Sequence, residues 1–202
     1  SVKATINVYR PFIWIFMLEV LSLFTAYLFA TQPIIRKVKD RFKLDRLQES
    51  DLLSVGVLVG LSLILGLVIG MISSIQLSVG REYVPSWVFL AVLASFVLVQ
   101  LQYLLLKHFR VIGMGLAFFM LISYVYLSSA IGTTATLSGL PALVKNVNLL
   151  SILEGQFAGY FDGQTAGIGV FFGLLVFFGL LAVANIFIPK KFTQTKEIES
   201  SL

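Results

Sequence analysis

Few residues in this chain could do chemistry, and most of them stand alone. There is one histidine and no cysteine among 202 residues. His108 lies in the basic run KHFR at 107–110 with no carboxylate nearby in sequence, so it makes a poor metal ligand and reads as a solvent-facing residue. The lack of cysteine removes disulfides, iron–sulfur clusters and thiol chemistry. No phosphate-binding loop ending in Gly-Lys-Ser/Thr, no His-Glu-x-x-His and no Gly-x-Ser-x-Gly is found. No catalytic, cofactor-binding or metal-ligating residue is predicted, and the chain is read as a non-enzyme. Glu19 is the sharpest position, because it sits near the middle of a long apolar stretch. A lone carboxylate at that depth is costly and turns toward the bundle interior or a wet cavity. It would serve either proton coupling and substrate contact, or a hydrogen bond to Gln100, Gln102 or Ser95 on a neighbouring helix. A proton-driven carrier usually has more than one titratable group within its spans, so the structural role is favoured. Asn185 is the other intramembrane polar residue placed for an interhelical bond.

The elements that must position these residues are membrane spans. The chain is 58% apolar and 12% charged, about half the charge of an ordinary soluble domain. Five apolar windows, 11–30, 53–77, 84–106, 111–131 and 166–188, contain only one charge, that of Glu19. Each is long enough to cross a hydrocarbon core of about 30 Å at about 1.5 Å per residue. None alternates as a barrel strand would. The predicted fold is therefore all-α, a polytopic bundle of five transmembrane helices. Trp14, Tyr27, Tyr83, Trp87, Tyr103 and Tyr124 or Tyr126 are read as interfacial anchors.

Charge orients the bundle. With 31–52 inside, the inner segments hold 11 Lys and Arg against 4 outside, which predicts an external N-terminus and a cytoplasmic C-terminus. Residues 1–10 then form the external end of a missing upstream region, 11–188 the membrane domain and 189–202 a cytoplasmic tail. A start at Ser1 on the outer side predicts the C-terminal part of a longer protein, with at least one earlier span.

Three further features follow. The inner link after the first span carries Arg36, Lys37, Lys39, Arg41, Lys43 and Arg46 between apolar residues at near-helical spacing. This predicts a basic amphipathic helix on anionic headgroups, serving either to fix topology or to dock a cytosolic partner. The segment at about 138–161 is too apolar for a solvated loop. It is read as an outer re-entrant hairpin of two short helices broken around 146–148. Gly56 and Gly60, Gly66 and Gly70, and Gly163, Gly167, Gly169 and Gly173 provide small residues for close helix packing, within the chain or across a homodimer.

This layout resembles the C-terminal membrane half of ABC-type exporter permeases and the YhgE/Pip family. Leu140-Pro141 and Val147-Asn148-Leu149-Leu150 resemble that group's hairpin segment, without its second proline. Within the group the loop-poor arrangement and the Phe-rich first span look most like the EsaA/YueB family of accessory membrane proteins of Gram-positive type VII secretion. The resemblance implies a plasma-membrane scaffold subunit for export of small helical WXG-type proteins, with no ATPase and no cofactor. It implies other secretion subunits, lipid and further copies of the chain as partners, and no nucleic acid. An exporter permease half, with the basic link docking an ATPase, is the alternative reading, and an ion or proton carrier using Glu19 is a weaker one.

Overall fold

The computed structural model describes residues 2–31, 37, 40–41, 51–127 and 140–188. Among these the regular structure is entirely helical. The helices are α1 (Val2–Thr31), α2 (Leu52–Gln76), α3 (Val84–Phe109), α4 (Val111–Leu127), α5 (Leu140–Val147), α6 (Leu149–Gly159) and α7 (Ile168–Phe187), with a 3-10 turn at Tyr160–Asp162. Among the described residues four stretches are long and apolar enough to cross a membrane: Pro11–Thr31, Leu52–Gln76, Val84–Phe109 and Ile168–Phe187. The described part of the fourth expected span, α4, has 17 residues, or about 25 Å, short of a hydrocarbon core of about 30 Å. Positions 128–131 of that window lie outside the described residues.

The sequence explains where these helices begin and turn. Pro85 stands in the first turn of α3, where a missing N–H breaks no helical bond. One residue, Arg110, separates α3 from α4, and the chain reverses there at φ 49°. Gly113 allows the reversal to be so tight: a Cβ on it would lie 2.1 Å from the Leu105 carbonyl oxygen. Asn148 separates α5 from α6, and its Oδ1 accepts from the Leu150 N–H at 2.9 Å, a side-chain cap on α6.

Helix α3 is the central post. It packs against α1, α2, α4 and α7, and 67% of its most apolar stretch is buried, against 11% for α7. Two apolar clusters stack along it. One joins Ile15, Leu18, Trp87, Leu90, Leu98 and Tyr124 to Leu150, Leu153, Phe157 and Tyr160 of the short-helix segment. The other joins Leu23, Ala26, Leu58, Val99, Tyr103, Leu106 and Ala117. Helices α5 and α6 are each too short to cross a membrane, at about 12 and 16 Å. Helix α6 packs against α1 and α4, so the pair covers the end of the bundle where Trp87 lies.

One expectation is corrected by this packing. Trp87, Tyr103 and Tyr124, read as interfacial anchors, are almost fully buried between helices. Their rings serve as core, and the indole N–H of Trp87 finds a protein partner in place of headgroup water. Tyr27 and Tyr126 are exposed.

Candidate functional site

Three polar nodes lie at different heights along α3, each tying it to other helices. At the end covered by α6, Trp87 Nε1 donates to Ser73 Oγ of α2 at 2.9 Å. The Trp87 ring meets Phe157, Tyr160 and Phe161 edge-on, with centroids 4.7, 5.4 and 5.8 Å away. Ser86 and the Tyr160 hydroxyl share a hydrogen bond of 2.6 Å. Asn148 completes the attachment: its Nδ2 donates to Met120 O and Ser123 Oγ of α4, both at 3.0 Å. The two short helices are thus held by directional bonds as well as apolar burial.

At mid-height, Gln102 Nε2 donates to Glu19 Oε2 and to Leu98 O, at 3.0 and 3.1 Å. This pair lies where the two apolar clusters meet, between Leu18 and Leu23 on α1. On another side of α3, Asn185 Nδ2 donates to the Gln100 carbonyl at 3.0 Å and to Gln100 Oε1 at 2.8 Å, joining α7. Gln100 and Gln102 are two residues apart, about 200° around the helix. They therefore serve opposite neighbours, Gln102 reaching α1 and Gln100 reaching α7. Ser95 does not join the Glu19 pair through any protein hydrogen bond among the described residues.

The third node lies at the far end of α3. Lys107 is buried, donates to the Asn185 carbonyl at 2.6 Å, and forms an ion pair with Asp51, which precedes α2. Its ammonium also stands 5.6 Å from the centroid of the Tyr103 ring. By sequence Lys107 is one of the inner charges that orient the bundle. Here it joins α3, α7 and the start of α2. His108, expected to face solvent, is half-buried. Among the described residues no group of three His, Cys, Asp or Glu could hold a metal ion.

The glycines separate into two kinds. A Cβ on Gly66 would lie 2.5 Å from Val92 Cα, and one on Gly70 would lie 3.0 Å from Val88 Cα. These two let α2 approach α3 closely. Gly56, Gly60, Gly167, Gly169 and Gly173 face open space within the chain. Gly163 adopts φ 77° after the 3-10 turn, a conformation that favours a residue without Cβ. Of the basic positions, Lys37 and Arg41 are helical and exposed. Arg36, Lys39, Lys43 and Arg46 lie outside the described residues.

A model of the family described as the EsaA helical domain matches residues 7–186. The chain belongs to the EsaA family. The match runs from within α1 through nearly the whole of α7, so the α3-centred packing lies within the family's own unit. No curated protein and no solved structure matches the chain significantly. An EsaA-like chain with four long apolar helices is a multi-pass membrane protein associated with type VII secretion.

Sequence reasoning missed several residues of this EsaA helical domain. Ser73, Ser86 and Tyr160 look like ordinary small or aromatic residues, and only their partners reveal their bonds. Gly113 stands outside any four-residue glycine repeat. Asp51 carried one available signal: it is an acid at the edge of an apolar window, at the same level as the Lys107 window edge when adjacent spans run antiparallel.

Proposed function

We propose that this EsaA-family domain is a non-catalytic scaffold subunit of a type VII-like secretion machine, embedded in the bacterial plasma membrane by five spans. The observation that carries this reading is the construction of the interior. Helix α3 is wrapped by its neighbours, and its buried amides and ammonium are bonded to α1, α7 and Asp51. Interhelical polar bonds of this kind hold a bundle in one arrangement, which suits a rigid platform for other subunits. The apolar window 111–131, which contains α4, is the remaining span in this reading.

In this reading the N-terminus and the α5–α6 hairpin face outward, and the Lys107–Asp51 node lies at the cytoplasmic face. The basic segment at 36–46 lies on anionic headgroups of the inner leaflet. Helix α7 is the least buried of the long helices. Its Gly169 and Gly173 leave room for another helix, so further copies of the chain or other subunits pack there. Glu19 serves as an interhelical acceptor for Gln102 and carries no proton across the membrane.

Two measurements test the proposal. Deleting the gene should abolish export of small helical substrates into the medium, and the chain carrying Asp51→Asn should restore export only in proportion to the protein that accumulates. Export at wild-type level without the gene would overturn the scaffold role. For orientation, Asp162→Cys should be labelled by an impermeant maleimide in intact cells, and Lys37→Cys only after permeabilisation. The reverse pattern would invert the topology.

A further inference from the structure

A cavity of about 530 Å³ opens between the ends of α1, α3 and α4, beside the Lys107 node. Leu106, Val111 and Met114 give it an apolar wall, while Tyr27, Lys107 and Arg110 give it a polar rim. The volume falls within the range of about 300–1,000 Å³ usual for small-molecule sites. The charge of Lys107 is already answered by Asp51. Arg110 is exposed and has no carboxylate partner among the described residues. Its backbone sits at φ 49° and ψ −113°, where glycine fits without strain and a side chain does not. A strained position that nevertheless carries a long cationic side chain points to a use for that side chain.

We propose that this groove binds one anionic phospholipid of the inner leaflet. The Arg110 guanidinium and the Tyr27 hydroxyl donate to the phosphate, and the acyl chains run along Val111 and Met114. Arginine suits a phosphate because its planar fork matches the phosphate oxygens, and basic clefts between spans at this depth receive acidic headgroups. The segment that follows Thr31 in sequence is a poor competitor for the groove. Between 36 and 46 it carries six Lys and Arg against Asp40 and Asp45, so it would add positive charge beside Arg110. An acidic headgroup neutralises that charge. The proposal rests on the membrane-spanning reading above, with this end at the cytoplasmic leaflet, and is independent of any role in export.

The test uses the full chain in phosphatidylcholine nanodiscs, with phosphatidylglycerol titrated in and thermal stability and bound lipid measured. Phosphatidylglycerol should raise the melting temperature to a saturable plateau, and inorganic phosphate should not. Arg110→Gly relieves the turn while removing the cation. It should melt no lower than wild type in phosphatidylcholine alone, yet bind phosphatidylglycerol about fivefold more weakly, the effect of one near-surface cation. Met114→Trp, which fills the groove without changing charge, should also lose the saturable component. The change Arg81→Gln removes an exposed cation in the link between α2 and α3, at the opposite end of the bundle, and should retain that component. The proposal is overturned if Arg110→Gly or Met114→Trp binds as wild type, or if Arg81→Gln loses as much as Arg110→Gly. It is equally overturned if inorganic phosphate reproduces the shift, since the site would then serve a free anion.

Discussion

Adding a single methyl group at Gly66 tests the packing of the central post directly. The Gly66→Ala Cβ would stand 2.5 Å from Val92 Cα and 3.1 Å from Ala91 O. Both neighbours are backbone atoms, so no rotamer change can relieve the contact, and α2 must move away from α3 by about 1 Å to restore ordinary separation. Overpacking of this kind costs about 1–3 kcal/mol, and a contact with rigid backbone belongs in the upper part of that range. The gain in helix propensity from glycine to alanine offsets at most about 1 kcal/mol. A net loss of about 1–2 kcal/mol remains, equivalent to a fall in melting temperature of roughly 3–6 °C for a chain of this size. Gly70→Ala meets Val88 Cα at 3.0 Å and should lose less, while Gly60→Ala meets nothing within 4 Å and should be neutral or slightly stabilised. Thermal unfolding of the three variants in one detergent gives the order Gly66, Gly70, Gly60 from most to least destabilised. Equal effects at all three, or a larger loss at Gly60 than at Gly66, would refute the close approach of α2 to α3.

Asp51→Asn should destabilise by about 2 kcal/mol, less than a fully enclosed pair because Asp51 is partly exposed. Lys107→Met, which removes the buried charge itself, should cost less, and denaturant melts of the two single variants and the double variant give the order. Asn148→Ala removes an N-cap and two bonds to α4. It should cost about 2–4 kcal/mol and show faster hydrogen exchange in α6 while α3 stays protected. Glu19→Gln keeps an acceptor for Gln102 and should export normally at external pH 6 and pH 8, whereas a pH-dependent defect would revive a proton-carrying role.

Much of the scaffold is legible in the sequence because hydrocarbon imposes a strong and simple pattern. The four long apolar stretches lie within or close to their windows, although α1 itself begins nine residues earlier, at Val2, and the break at Asn148 falls inside the 146–148 stretch. The Glu19–Gln102 bond was one of three pairings left open, since depth alone does not choose among Ser95, Gln100 and Gln102. The glycines illustrate the limit better. Gly56 and Gly60 have the same spacing as Gly66 and Gly70, but six residues from Gly60 to Gly66 turn the helix by about 240°. The two pairs therefore lie on different faces, and spacing does not say which face meets a helix. The burial of Lys107 was hidden for a related reason. Its partners, Asp51 and Asn185, lie 56 and 78 positions away, and only the order of helices around α3 brings them together.

The bond from Lys107 to the Asn185 carbonyl has a consequence for synthesis. Helix α3 leaves the ribosome well before α7, so the bonds that join Lys107 and Gln100 to Asn185 form only when Asn185 arrives. Until then Lys107 has Asp51 as its partner, while the Gln100 side-chain oxygen lacks its final donor within the span. Truncated chains that end before Asn185 leave these bonds unmade and should unfold at a lower temperature than the full chain. The last helix thus supplies bonds that the central post cannot make by itself.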